Sequence, residues 1–86
     1  SKATAQEIRF TQTKKDLYAT VLAWPTEKQI LIKSLSDESK LFPGKISRVE
    51  LLGYGKVPFT RTDKGLLINM PDKQINKIAP VFKIKK

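Results

Sequence analysis

The sequence predicts an all-β protein, an antiparallel β-sandwich of about seven short strands. Apolar and polar residues alternate with a period of two in several segments, as expected when each strand buries one face. Turn-forming residues separate these segments at intervals of about 8–12 residues. A long helix is not predicted, because no segment keeps its apolar residues at helical spacing. The best helical candidate, Asp37 to Leu41, is only one turn long.

The first half of the chain predicts three strands, a hairpin and a polar loop. The strands cover residues 8–11, 17–24 and 29–35. The first two pair as a hairpin around a turn at residues 13–16. Pro25 ends the second strand, because proline has no N–H to donate to a β-ladder. The polar residues 36–39 form the loop after the third strand.

The second half predicts four more strands, over residues 45–53, 57–62, 66–70 and 78–84. Asp63-Lys64-Gly65 connects two of them as a short hairpin loop, in which Gly65 takes a left-handed conformation. Pro80 marks the last strand as an edge or bulged strand, because proline interrupts a ladder.

The predicted core is the set of apolar residues on the inner faces of these strands. It contains Ile8, Phe10, Leu17, Ala19, Val21, Ile30, Ile32, Val49, Leu51, Leu66, Ile68, Phe82 and Ile84. The 86 residues predict a single domain, residues 1–86. A chain of this length buries only about 60–65% of its unfolded surface, so its core is marginal alone. The abrupt start at Ser1, without a Met, suggests a segment excised from a longer protein.

Charge and composition narrow the possible functions. The net charge is +9, from 14 Lys and 3 Arg against 8 carboxylates. A binder of nucleic acid or another polyanion is one interpretation. A solvated surface is favoured, because the lysines are scattered and arginine, which binds phosphate bidentately, is scarce. No apolar run approaches the roughly 20 residues of a membrane helix.

No catalytic residue, metal site or cofactor is predicted. The chain has no His or Cys, which removes the usual zinc ligands and the thiol nucleophile. Asp16, Asp63 and Asp72 lie in turn contexts, and Glu50 lies beside Arg48 on a solvated strand face. No two carboxylates are favoured as the pair that glycoside cleavage requires.

One predicted strand is apolar on both faces, which a two-layer sandwich does not require. On residues 17–24 the second face carries Tyr18, Leu22 and Trp24, and only Thr20 is polar. Either Trp24 folds over the edge of the sandwich, or another element covers this face. On the second interpretation, Tyr18, Leu22 and Trp24 are candidate interdomain contacts.

Exposed aromatic residues are an alternative basis for function. Trp24, Tyr18, Tyr54 and Phe59 would form a sugar-stacking platform if they shared one surface. An autonomous carbohydrate-binding module is therefore an alternative, although the core needs most of the chain's seven aromatic residues.

The order of the motifs resembles the C-terminal domain of α-L-fucosidases of glycoside hydrolase family twenty-nine. The motifs that carry the resemblance are Ile8-Arg9-Phe10-Thr11, Leu17-Tyr18-Ala19, Leu22-Ala23-Trp24-Pro25, Ile32-Lys33-Ser34-Leu35, Val49-Glu50-Leu51-Leu52-Gly53, Thr62-Asp63-Lys64-Gly65-Leu66 and Met70-Pro71. They span nearly the whole chain. Two departures are Ala23, where the family usually has Gly, and the last segment, which is less rich in aromatic residues.

The resemblance implies a non-catalytic accessory domain. The parent would be a retaining glycosidase that removes terminal α-L-fucose from glycans, with its catalytic residues in an N-terminal (β/α) barrel. No catalytic residue carries over to this chain. The implied partner is that barrel, glycans are reached only through the parent, and neither nucleic acid nor a membrane is implied. Bacterial members are usually exported, which implies a periplasmic or secreted parent.

Overall fold

The protein folds as a sandwich of two facing β-sheets, which confirms the predicted all-β class. The computed structural model describes residues 3–4, 8–22, 28–72 and 79–86. These residues form nine strands and a 3₁₀ helix. In chain order they are β1 (Ala3–Thr4), β2 (Ile8–Gln12), β3 (Asp16–Val21), β4 (Gln29–Ile32), the 3₁₀ helix (Lys33–Leu35), β5 (Arg48–Leu51), β6 (Gly55–Lys56), β7 (Phe59–Thr62), β8 (Gly65–Asn69) and β9 (Val81–Lys85). No helix in these ranges has the length and apolar character of a membrane span.

The two sheets differ in size. One is five-stranded, in the order β2-β3-β9-β5-β6, and all of its pairs are antiparallel. The other is four-stranded, in the order β1-β4-β8-β7, and is antiparallel except for the short parallel pair of β1 and β4. The predicted hairpin of the first two long strands is confirmed as β2 and β3.

The register of the five-stranded sheet fixes which residues face inward. Ala19 of β3 lies between Phe10 of β2 and Phe82 of β9, and Phe82 also faces Leu51 of β5. The neighbouring row, which contains Tyr18, points outward. A slip of one residue would exchange the two rows and expose the core.

The core agrees with the prediction except at the edge and in the loops. Ile8 and Phe10 are only half-buried, because β2 is an edge strand, and they pack against the core. All the other predicted core residues are buried. Period-two patterning did not identify the buried residues outside the strands, namely Leu35, Phe42, Val57 and Met70.

Several predicted strand boundaries are wrong. β3 ends at Val21 instead of continuing through residue 24, and β5 covers only Arg48–Leu51 of the predicted 45–53. The third strand ends at Ile32, not Leu35, because the pairing of β4 with β8 ends where Ile32 faces Leu66. The chain then turns into the 3₁₀ helix, while the one-turn helix candidate at residues 37–41 is not helical. The predicted strand 57–62 begins only at Phe59, because the chain crosses to the other sheet after β6.

Pro80 does not mark an edge strand, as the sequence had suggested. The last strand, β9, is the central strand of its sheet, between β3 and β5. Pro80 precedes its first residue, so the missing N–H falls outside the ladder. The Pro80 carbonyl still accepts a hydrogen bond from the Val21 N–H at 2.9 Å. The predicted start of this strand, Ile78, lies outside the described residues.

The hairpin between β7 and β8 follows the predicted turn chemistry. Asp63 and Lys64 form the loop, and Thr62 faces Gly65 across it. Gly65 has a positive φ of 146°, as predicted. A Cβ at this position would lie 2.7 Å from the backbone oxygen of Ile32, so the neighbouring strand also requires glycine here.

A long connection from β4 to β5, residues 33–47, closes one end of the sandwich, and Arg61 of β7 holds it. The Arg61 Nε donates to the carbonyls of Leu35 and Ser36, both at 3.1 Å, and Nη2 donates to the Phe42 carbonyl at 2.6 Å. Nη1 donates to the Gly44 carbonyl. Phe42, which these bonds position, is 3% exposed and plugs the core at this end.

Candidate functional site

The structure describes two of the three predicted interdomain contacts. Tyr18 is half-buried near the middle of the outer face of the five-stranded sheet, between Thr11 and Lys83. Leu22 is 41% exposed immediately after β3. Trp24 lies outside the described residues.

Exposed apolar residues concentrate at one end of the five-stranded sheet. Among the described residues, the exposed large apolar side chains are Leu22 at 41%, Leu52 at 44% and Tyr54 at 55%. Leu22 follows β3, whereas Leu52 and Tyr54 lie in the turn that links β5 to β6. We call these three residues the apolar end.

The central strand holds the two parts of the apolar end together. The Val21 N–H donates to the Pro80 carbonyl at 2.9 Å, and the Leu52 N–H donates to the Val81 carbonyl at 3.0 Å. Val21, just before Leu22, and Leu52 are therefore hydrogen-bonded to two consecutive residues, Pro80 and Val81, on opposite sides of this segment. Two strand spacings separate them, which is about 10 Å. Both leucines are within reach of one partner surface.

A tight turn displays Leu52 and Tyr54. The Tyr54 N–H donates to the Leu51 carbonyl at 3.0 Å, which closes a four-residue turn. Gly53, its third residue, has a φ of 85°, the value that a type II turn requires at this position. Leu51 is buried at 1% exposure, so the alternation of the strand sends Leu52 outward.

Charged and other polar side chains occupy most of the rest of the outer face, including Arg9 and Thr20 in the row next to the apolar end. Lys83 lies between Tyr18 and Glu50, and the next row contains Asp16, Lys85 and Arg48. Arg48 pairs with Glu50 at 3.3 Å, and Lys83 pairs with Asp16 at 3.8 Å. The outer face is thus apolar at one end only, and Tyr18 lies at the boundary.

Lysines gather at the opposite end of the same sheet. A cavity of about 390 Å³ lies between the β2–β3 turn, the end of β9 and the buried loop segment around Phe42. Four of its lining residues are basic: Lys14, Lys15, Lys85 and Lys86. We call these four residues the basic end. Sequence patterning did not indicate the grouping, because Lys14 and Lys15 are far from Lys85 and Lys86 along the chain.

Three of the six described side-chain carboxylates are in ion pairs. Besides Asp16 and Glu50, Asp72 pairs with Lys28 at 3.3 Å on the surface. Within the ranges that the structure covers, no three His, Cys, Asp or Glu side chains cluster as metal ligands would.

The aromatic platform considered from the sequence does not form as a single surface. Phe59 belongs to β7 of the four-stranded sheet and packs against the core. Tyr18 and Tyr54 are associated with the other sheet, and β9 and β5 separate them. Trp24 again lies outside the described part of the chain.

Sequence reasoning missed Leu52 as a surface residue, and it considered Tyr54 only as a member of a sugar-stacking platform. Leu51-Leu52 is a pair of adjacent leucines in one strand, and two adjacent strand residues cannot both face the core. That pair, followed by Gly53, was the available signal for an outward leucine beside a turn.

Comparison with known proteins gives a family. No curated protein matches the chain significantly. A family model described as the alpha-L-fucosidase C-terminal domain matches residues 1–85, which is all but one of the 86 residues. This match confirms the resemblance seen in the motifs, and it indicates an accessory domain of a glycosidase-like protein that carries its catalytic domain in the same chain. The chain belongs to the α-L-fucosidase C-terminal domain family.

Proposed function

We propose that this chain is a non-catalytic structural domain that docks through the apolar end onto the catalytic barrel of its own fucosidase. The observation that carries the proposal is the clustering of Leu22, Leu52 and Tyr54. Single exposed apolar residues are normal on a protein surface, but grouped ones mark an interaction site. Tyr18 and Trp24, the other predicted contacts, belong to the same proposed interface.

The proposed interface is physically reasonable in size and composition. Domain interfaces within one chain typically bury about 600–1,500 Å², with an apolar centre and a polar border. Leu22, Leu52 and Tyr54 would supply the centre. The ion-paired residues Arg48 and Glu50, farther along the same face, would supply the border. Burying one leucine side chain contributes about 1.5–3 kcal/mol, which would support a small and marginal core.

The parent would hydrolyse terminal α-L-fucosides of glycans with retention, and this chain would contribute stability rather than chemistry. A periplasmic or secreted bacterial setting is part of the same proposal. The purified chain should therefore not cleave a nitrophenyl α-L-fucoside. Turnover that disappears when one of the chain's own carboxylates is replaced would contradict this.

The docking proposal is tested with Leu22→Ser and Leu52→Ser, each made in the 86-residue chain and in the full-length enzyme. Both side chains are solvated in the chain alone, so each substitution should change its melting temperature by only about 1–2 °C. In the full-length enzyme each should lower the stability of this domain by about 1–3 kcal/mol.

A matched control is Leu67→Ser, on the outer face of the four-stranded sheet. Leu67 is half-buried and faces Leu31, so its loss should destabilise both proteins equally. Equal effects of Leu22→Ser in both proteins would place Leu22 in the domain's own packing and remove the main support for docking.

The alternative, an autonomous carbohydrate-binding module, is tested on a glycan array with the chain alone. Binding of neutral glycans that is lost on Tyr54→Ala would favour it, because Tyr54 is the most exposed large apolar side chain described.

A further inference from the structure

We propose that the basic end is a binding site for an anionic glycan, one that carries sulfate or carboxylate groups. Family membership suggests only that glycans are the polymers this protein meets. The proposal itself stands on the geometry and charge of Lys14, Lys15, Lys85 and Lys86, so it does not depend on the docking of the apolar end.

The first wall of the site is a rigid turn that presents two lysines. The Thr13 N–H donates to the Asp16 carbonyl at 2.9 Å, and the Asp16 N–H donates to the Thr13 Oγ1 at 3.1 Å. These reciprocal bonds fix residues 13–16. Lys14 and Lys15 occupy the two central positions and are exposed. Their ammonium groups therefore extend from a backbone that needs no ordering when a ligand binds.

The second wall is the end of β9, which is also fixed. The Ser47 N–H donates to the Lys85 carbonyl at 2.8 Å, and the Ser47 Oγ donates to the main-chain oxygen of Lys86 at 2.7 Å. The Lys86 Nζ lies 5.8 Å from the centre of the Phe42 ring, within the range of a cation–π contact. Phe42 is itself held by Arg61. Both walls are therefore held in place by contacts within the chain, and each contributes two lysines to the cavity lining.

The charge at this site is strongly unbalanced. Asp16 is the acidic side chain that lines the cavity, and it pairs with Lys83 at 3.8 Å. Within the described residues, none of the four lysines of the basic end forms an ion pair with a side chain. Four cations around one cavity focus a positive potential that attracts anions.

The shape of the site favours a glycan over a nucleic acid. Single-stranded nucleic acids need exposed aromatic rings on which bases stack, but the aromatic ring in this lining, Phe42, is 3% exposed. Duplex binding relies on long series of phosphate contacts and often on arginine forks. A cavity of about 390 Å³ instead suits a ligand of one or a few sugar units. A lysine ammonium group is a point charge, so it can pair with a single sulfate or carboxylate group on such a ligand.

The test compares two triple variants of equal net charge. The site variant is Lys14→Gln, Lys15→Gln and Lys86→Gln. The control variant is Lys33→Gln, Lys56→Gln and Lys64→Gln, whose side chains are also exposed but lie outside the cavity. Binding to dextran sulfate, polygalacturonate, neutral dextran and duplex DNA is measured by titration at several salt concentrations. Thermal melts verify that all three proteins are folded.

The unmodified chain should bind dextran sulfate or polygalacturonate, and not neutral dextran. The two anionic polymers show whether sulfate or carboxylate is preferred. The site variant should lose about ten-fold or more in affinity, as expected for the loss of about three exposed ion pairs. The slope of log K against log salt should become shallower by about 2–3, whereas the control should stay within about two-fold.

Three results would overturn the proposal. Equal losses in the site and control variants would mean that net charge, and not this cavity, attracts the polymer. Duplex DNA bound as tightly as the anionic glycans, with the same dependence on the site lysines, would assign the surface to nucleic acid. Failure of both anionic glycans to bind at low salt would exclude the site.

Discussion

The exposed large apolar side chains gather at one end of the five-stranded sheet, and lysines gather at the other end. The same strands, β3, β9 and β5, run through both ends. The apolar end uses strand alternation and one four-residue turn, in which Gly53 allows Leu52 and Tyr54 to project. The basic end needs the long 33–47 connection, which Arg61 and Phe42 anchor. The turn that displays Leu52 and Tyr54 is therefore encoded locally, although β9 brings Leu22 beside it. The basic end depends in addition on a long connection whose anchors are distant in sequence.

This difference implies separable roles for the two ends. No residue belongs to both surfaces, and the charged middle of the sheet lies between them. A substitution at one end should therefore leave the other unchanged unless it disturbs the common core.

The largest expected effect separates two adjacent residues at the apolar end. Val21 is 5% exposed and faces the core, whereas Leu22 is 41% exposed. Val21→Asp should cost about 4 kcal/mol or more, because it buries an unpaired charge. Leu22→Asp in the isolated chain should cost less than about 1 kcal/mol. Chemical denaturation measures both, and similar values for the two variants would show that the register of β3 is wrong.

The next largest effect concerns Phe42, a buried loop residue that lines the cavity of the basic end. Phe42→Ala should destabilise the chain by about 3–5 kcal/mol, because removal of a ring that is only 3% exposed leaves a cavity in the core. Tyr54→Ala, the removal of an aromatic ring at the other end, should change stability by less than about 1 kcal/mol. Denaturant melts of the two variants provide the comparison. A loss of less than about 1 kcal/mol for Phe42→Ala would mean that the loop does not close the core.

Substitutions of two glycines with positive φ should have intermediate effects. Gly65→Ala combines a φ of 146° with a Cβ 2.7 Å from the Ile32 oxygen, and should cost about 2–4 kcal/mol. Gly44→Ala has a φ of 86° but open space around the Cβ, and should cost only about 1–2 kcal/mol. Thermal unfolding measures both. A reversed order would indicate that the packing of β8 against Ile32 is wrong.

The smallest expected effect on stability comes from Asp16, the acidic residue that lines the cavity of the basic end. Asp16→Asn removes the partner of Lys83, whose side chain is 26% exposed, and should cost about 0.5–1 kcal/mol. The same change removes a negative charge from the basic end. Dextran sulfate should therefore bind more tightly to the variant, by about two- to five-fold. Unchanged or weaker binding of dextran sulfate would mean that Asp16 does not lie close enough to the bound anion to repel it.

The sequence predicted the sandwich and most of its core, because period-two patterning directly reports which strand residues face inward. It did not predict that β9 is central, since strand order depends on pairings between residues far apart, such as Leu17 with Ile84. Phe42 was missed because a loop residue has no periodicity, and its burial depends on carbonyl contacts made by Arg61.

The candidate sites were predictable to different degrees. Leu22 was identified because the predicted strand 17–24 is apolar on both faces, so its outer face carries apolar side chains. Leu52 carried the same signal in its Leu51-Leu52 pair, although that signal was overlooked. The basic end was not predictable, because only the fold brings Lys14 and Lys86 to one cavity.

Docking of the apolar end is tested most directly by hydroxyl-radical footprinting of the full-length fucosidase and the isolated chain. Oxidation of Leu22, Leu52 and Tyr54 should fall several-fold in the full-length enzyme, since these side chains are 41–55% exposed in the chain alone. Leu31 and Leu67, on the outer face of the other sheet, serve as internal controls and should react equally in both proteins. Equal oxidation of Leu22, Leu52 and Tyr54 in the two proteins would contradict docking through this end.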